Sequence, residues 1–266
     1  MLRRRSGDPP FLRDNLKAAL QEGAACEVDL VMTADGHAVC LHDLMLDRET
    51  TGTGPVSEAT RAQIERLRMR GLDGAPLPYA PLFLDEIAAT VEALGARAPA
   101  IVQLDIKSPW SDITGDALNR FSATLGATAP AFIAGGGDWS IIEELAAAVP
   151  GLHKGFDPLL HYPRHCDLSE SAFRSLGEFT FTTAPDASIF YLEAKLVLAG
   201  LAKEVNLVEM VTRNGAMVDA WTIDANRPHL RDDLRRLIEA GCGQITSNDP
   251  DILFPIIEEL AVANVR

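Results

Sequence analysis

The stretch Cys26-Glu27-Val28-Asp29-Leu30-Val31-Met32, followed through Asp35-Gly36 by Ala38-Val39-Cys40-Leu41-His42-Asp43, decides how the rest of the chain is read. Its first seven residues predict a strand interrupted by two acids. Asp35-Gly36 is tight-turn chemistry, and it predicts a second short strand over His37–Leu41. Acids two apart on a strand put both side chains on one face. Glu27 and Asp29 therefore face solvent from an amphipathic strand, or they face an interior. In an interior they repel one another unless a cation sits between them. His42 follows an apolar run and opens a loop one short hairpin from those acids, which makes it a candidate general acid or base. His37, in the turn, reads as a bystander.

Working outward, strand and helix patterns alternate. Strands are predicted over Ala100–Ile106, Ala131–Ala134, Leu152–Phe156, Val218–Ile223 and Gly243–Ser247. Helices are predicted over Asp14–Glu22, with Asp14 as N-cap and Gly23 as stop, and over Ser57–Arg70, Phe83–Leu94, Ile113–Leu125, Asp138–Val149, Asp167–Leu176 and Pro228–Ala240. Phe179–Ala199 reads both ways, and the longer Phe179–Asn206 stretch reads as a substrate-covering insertion or a helix pair. Repeated strand–helix alternation implies a mostly parallel sheet with helices outside it. Six or seven such units can be counted, and eight would close a barrel.

Polar residues gather at the C-terminal ends of these strands, where a barrel keeps its site. Asp105 and Lys107 share a face in Leu104-Asp105-Ile106-Lys107; they are a simple ion pair, or a metal ligand beside a phosphate-binding ammonium. Trp221 in Val218-Asp219-Ala220-Trp221-Thr222-Ile223-Asp224 walls a pocket or fills the core. Gly241 to Pro250 reads as a closing strand with a polar tip.

Composition narrows the function. The 266 residues carry 24 Lys+Arg and 38 Asp+Glu, a formal charge of −14, with a sequence pI near 4.8. Such an excess of acid argues against a nucleic-acid binder and against adhesion to anionic lipid by charge. It leaves room for a phosphate-bearing substrate, because carboxylates hold divalent cations and a cation inverts the local sign. No apolar run approaches the roughly 18 residues of a membrane span. The basic start Met1-Leu2-Arg3-Arg4-Arg5 lacks the apolar segment of a signal peptide. Cys26, Cys40, Cys166 and Cys242 match no metal spacing and read as reduced core thiols of a cytoplasmic protein.

Together the segments resemble the glycerophosphodiester phosphodiesterase family of the phospholipase-C-like phosphodiesterase superfamily. Gly23-Ala24-Ala25-Cys26-Glu27-Val28-Asp29 resembles its G-A-D-x-I-E-x-D segment. The run from Thr33 to Asp43 is similar to T-x-D-G-x-x-V-x-x-H-D, and that from Leu46 to Val56 to L-x-R-x-T-x-G-x-G-x-V. Pro81 to Glu86 resembles P-T-L-x-E, Leu104 to Lys107 x-E-I-K, Ala220 to Ile223 W-T-V, and Gln244 to Pro250 I-T-D-x-P. The likeness spans about residues 14 to 253.

The resemblance implies an α/β fold, a (β/α)8 TIM barrel in a single domain over residues 1–266, its first strand short or partly missing. It implies a metal-dependent phosphodiesterase acting on a small-molecule substrate, a glycerophosphodiester, releasing glycerol phosphate and an alcohol. Glu27, Asp29 and Asp105 would bind one divalent cation, Mg2+ or Ca2+; His42 would be one of two catalytic histidines; Lys107 and Arg3 would contact phosphate, with Trp221 beside the substrate. Two departures stand out. Asp105 replaces a Glu, shortening that ligand by one methylene. The family opens with His-Arg-Gly, and here Leu2 takes the His position and Arg3 the Arg position. The expectation is therefore either that Met1 is not the natural start or that activity is impaired. A related lyase chemistry giving a cyclic phosphate, and an inactive barrel binding a phosphorylated ligand, are the alternatives.

Overall fold

A computed structural model describes residues 2–95, 100–161 and 169–264. The chain divides into two compact units. Met1–Arg3, Gly7–Gly136 and Ser140–His153 form the first; Arg4–Ser6, Gly137–Trp139 and Lys154–Arg266 form the second.

In the first unit α1 (Arg13–Glu22) leads to β1 (Cys26–Met32) and β2 (Ala38–Cys40). A short α2 (Arg61–Ile64), α3 (Leu84–Leu94), β3 (Val102–Ile106), α4 (Gly115–Leu125), β4 (Phe132–Gly135) and most of α5 (Trp139–Ala148) follow. The strand order is β2-β1-β3-β4. β1 and β2 form an antiparallel hairpin, whereas β1, β3 and β4 run parallel. Val28, Leu30, Val102 and Leu104 are fully buried. Buried Leu16 and Leu20 of α1, Ile87 and Val91 of α3, and Phe121 and Leu125 of α4 supply the helical side of that core.

In the second unit β5 (His153–Phe156), α6 (Glu170–Thr183), β6 (Ile189–Glu193), α7 (Ala194–Leu201) and α8 (Leu207–Val211) come first. Then come β7 (Met217–Trp221), α9 (Leu230–Glu239), β8 (Gln244–Ile245) and α10 (Pro250–Asn264). Its strands lie in the order β5-β6-β7-β8, all parallel.

Several expectations are corrected. The helix expected over Ser57–Arg70 shrinks to the four residues of α2. Beyond it the backbone is claimed elsewhere: Arg68 O accepts from Thr51, Met69 N–H donates to Tyr79 O and Arg70 N–H to Glu49 O. Those partners pull the segment into extended bridges and away from the i→i−4 ladder. Asp14 is not the N-cap of α1; Leu12 is, without a side-chain bond. Asp14 sits inside the first turn, where a carboxylate favours the helix dipole. Gly23 does end α1, with φ +75°, and Ala24 N–H closes on Ala19 O at 2.9 Å. Phe179–Asn206 is neither insertion nor helix pair: it holds the end of α6, all of β6 and all of α7. Its apolar run Ile189-Phe190-Tyr191-Leu192 has no alternation because both faces of the strand are covered. No strand precedes α1 among the described residues; Leu2 N–H donates to Glu27 O at 3.3 Å, a single ladder-like bond beside β1. Cys26, Cys40 and Cys242 carry no disulfide, and burial pushes the Cys26 thiol up to about 12. Cys166, His165 and the expected helix start at Asp167 lie outside the described residues. Among the described residues no helix is long and apolar enough to cross a membrane.

Candidate active site

Strand register gathers the acids. In the parallel pair β1/β3, Asp29 lies beside Asp105 and Glu27 beside Gln103. Because side chains alternate along each strand, Glu27, Asp29 and Asp105 share one face. One oxygen from each of the three carboxylates lies within 4.8 Å of the others. Asp29 is only 2% exposed. The solvent-facing reading of these acids is therefore wrong for Asp29, which burial removes from water altogether.

Like charges that close repel by about 3 kcal/mol per pair at an effective dielectric near 20. The consequence shows on Glu27. Burial, and then the neighbouring Asp29 and Asp105 charges, hold its proton up to about 7. Lys107 supplies a counter-charge. It follows the end of β3, anchored by its own N–H to Leu30 O at 2.9 Å. Its Nζ reaches Asp105 Oδ2 at 2.5 Å and Asp29 Oδ1 at 3.1 Å. These carboxylates hold the Lys107 ammonium well above its usual range, against the opposing effect of burial. Asp29 moves the other way and is drawn down by Lys107 and His42 despite its burial. Lys107 is thus both ion-pair partner and neighbour of the acid group, and the two readings of Asp105/Lys107 do not exclude each other.

His42 stands just beyond β2, half-exposed. Its Nδ1 lies 2.9 Å from Asp43 Oδ1. Asp43 is gripped by Arg48 through both carboxylate oxygens. The Arg48 hydrogen bonds hold the Asp43 carboxyl down at about 2, so Asp43 is ionised and can only accept. His42 Nδ1 must then carry the proton, leaving Nε2 as the atom that exchanges protons with a ligand. Glu49 completes the arrangement, and no motif reading singled it out. Its Oε2 accepts both His42 N–H, at 2.8 Å, and Asp43 N–H, at 2.9 Å. The available signal was an acid embedded in a Thr/Gly-rich loop seven residues after a candidate catalytic His.

The remaining expected residues are placed as follows. Arg3 is half-buried and its Nε has no hydrogen-bond acceptor among the described residues; its charge is felt at Tyr79. Trp221 ends β7 in the second unit, and its buried Nε1 likewise has no acceptor. Leu2 is buried, 5% exposed. His37 packs edge-on against Phe83, ring centroids 6.4 Å apart. In the second unit Asp249, from the polar tip, accepts Ser6 N–H at 2.7 Å and Ala225 N–H at 3.2 Å, fixing two loops.

Comparison with known proteins agrees with this architecture. A solved glycerophosphoryl diester phosphodiesterase of Silicibacter pomeroyi superposes with a TM-score of 0.68 at 20% identity, over 97% of this chain and 92% of that one. An Oleispira antarctica phosphodiesterase, solved with its product sn-glycerol-3-phosphate, gives 0.68 at 18% identity over 96% and 94%. These likenesses define the class of fold, an α/β protein of the (β/α)8 TIM-barrel type. Among curated relatives, the glycerophosphodiester phosphodiesterase of Caldanaerobacter subterraneus subsp. tengcongensis is 26% identical over 252 residues, 91% of this chain and 90% of the relative. A probable glycerophosphodiester phosphodiesterase 1 of Mycobacterium tuberculosis is 29% identical over 221 residues, 77% and 74%. The model of the glycerophosphoryl diester phosphodiesterase family matches residues 14–252. The chain belongs to that family, and so to the phosphoric diester hydrolases.

Proposed function

We propose that this chain hydrolyses glycerophosphodiesters to glycerol phosphate and an alcohol, with Glu27, Asp29 and Asp105 holding one divalent cation. The observation that carries the reading is the acid group: three carboxylates on one face of β1/β3, ligand atoms within 4.8 Å. The donor set fits a cation. It is all hard oxygen, the kind that Mg2+ and Ca2+ take, and a carboxyl held to about 7 by burial and by its acidic neighbours is one that a cation would ionise. When bound, such a cation supplies Lewis-acid charge neutralisation at a phosphoryl oxygen.

The side chains do the rest. Lys107, paired with Asp29 and Asp105, offers its ammonium to a phosphate oxygen as a point charge that orients the diester. Arg3, with an unsatisfied Nε, offers a second donor to the same group. Protonated at Nε2, His42 gives a proton to the departing alkoxide oxygen as the P–O bond breaks. Leu2, at the position of the family's first His, brings no proton-transfer group of its own.

Incubating the protein with sn-glycero-3-phosphocholine and Mg2+ or Ca2+, with products followed by 31P NMR, tests this. Open-chain glycerol phosphate is expected. A cyclic glycerophosphate would replace hydrolysis by internal attack of a substrate hydroxyl. No turnover, with the substrate still protecting the fold thermally, would leave a binding barrel.

A further inference from the structure

The structure assigns Glu49 as a positioning residue for His42, acting through the main chain of the His42-Asp43 dipeptide. This rests on the reading of His42 as proton donor to the leaving group. Glu49 is 5% exposed. A buried carboxylate is expensive unless hydrogen bonds compensate it. Here the compensation is specific: one oxygen, Oε2, takes the two successive N–H groups of His42 and Asp43. Consecutive N–H groups converging on one anion fix the backbone between them as a small concave nest. That backbone sets where both side chains start. It brings Asp43 Oδ1 to 2.9 Å from His42 Nδ1 while Arg48 holds the carboxylate from the other side. The Glu49 main chain is tied down independently, since its carbonyl accepts Arg70 N–H at 2.7 Å. The clamp is thus built on a fixed point, and His42 aims its Nε2 only while the clamp holds.

A group that aims a general acid has a signature that a merely structural residue lacks. Its loss hurts substrates with poor leaving groups and spares those whose leaving group needs no proton. Steady-state rates with sn-glycero-3-phosphocholine and with glycerol p-nitrophenyl phosphate, at saturating Mn2+, provide the two arms. Glu49→Ala is expected to lower kcat for the alkyl ester by about 10- to 100-fold, with KM and Mn2+ affinity within about threefold. Its kcat for the nitrophenyl ester should fall less than about threefold. Glu49→Gln should recover most of the alkyl-ester rate, because its amide oxygen can accept the same two N–H groups. Equal losses on both esters, or no rescue by Gln, would overturn the assignment. If Glu49→Ala does not fold, Glu49→Asp must show the same leaving-group selectivity; an unselective loss there overturns it too. Should the wild type cleave neither ester, the functional reading fails, and the clamp is judged separately by 15N NMR of the His42 ring. The Nδ1–H tautomer is expected in the wild type and in Glu49→Gln, with a mixture in Glu49→Ala. An unchanged tautomer in Glu49→Ala refutes the clamp.

Discussion

On β1 and β3, parallel register sets Asp29 beside Asp105; on β6 and β7, the same kind of register sets Tyr191 beside Asp219 and Glu193 beside Trp221. Both pairs line up polar side chains on one face of a parallel sheet, and both contain an aspartate almost sealed from water, Asp29 at 2% and Asp219 at 1% exposure. The difference lies in their neighbours. Asp219 lies beside Tyr191 and accepts Thr246 Oγ1, just past β8, at 2.6 Å. Asp29 stands with two more carboxylates, and burial together with those charges leaves Glu27 holding a proton to about 7. Burial of an acid alone therefore says little. Convergence of three acids, with Glu27 left holding its proton by burial and by its charged neighbours, marks the place where we propose a ligand.

The sharpest way to break that contrast is to neutralise each aspartate without changing its shape. Asp29→Asn should weaken Mn2+ binding by more than about a hundredfold, beyond what loss of an outer partner does, whereas Asp219→Asn should leave it within about twofold. Calorimetric titration checks both; equal effects would erase the distinction. The next effect is in stability against pH without added metal. Glu27 binds its proton more tightly folded than its ordinary 4.5, so the folded state carries more protons between about 4.5 and 7. Its contribution is full below 4.5 and is lost as pH rises through 7, a decline of about 3 kcal/mol at most. Urea unfolding at pH 5 and pH 8 should show it in the wild type and not in Glu27→Gln. The smallest effect belongs to the second unit: Thr246→Val removes the donor to Asp219 and should cost about 1–3 kcal/mol, read as a drop in Tm with Mn2+ affinity unchanged.

Much of this was legible in the chain itself, and the reasons differ by element. The two-residue spacing of Glu27 and Asp29 carries their common face directly. Asp105 needed register, which no local spacing encodes; its place at another strand end and the likeness of Leu104–Lys107 to x-E-I-K pointed to it. The Ser57–Arg70 helix failed because its apolar spacing competed with long-range backbone partners at Glu49, Thr51 and Tyr79. β6 stayed ambiguous because a strand covered on both faces has no polar alternation to read. Glu49 was hidden for another reason: its work is done through main-chain N–H groups, which leave no mark on residue type.

The most direct measurement of the central claim is thermal unfolding of the wild type and of the Glu27→Gln, Asp29→Asn double variant, with Mg2+, Ca2+ or Mn2+ titrated in. If the β1/β3 acids hold a cation, at least one ion should stabilise the wild type by about 2.7 kcal/mol at a hundredfold excess over its dissociation constant, and the double variant should not respond. An equal response in both proteins, or none in the wild type with any of the three ions, would contradict the account.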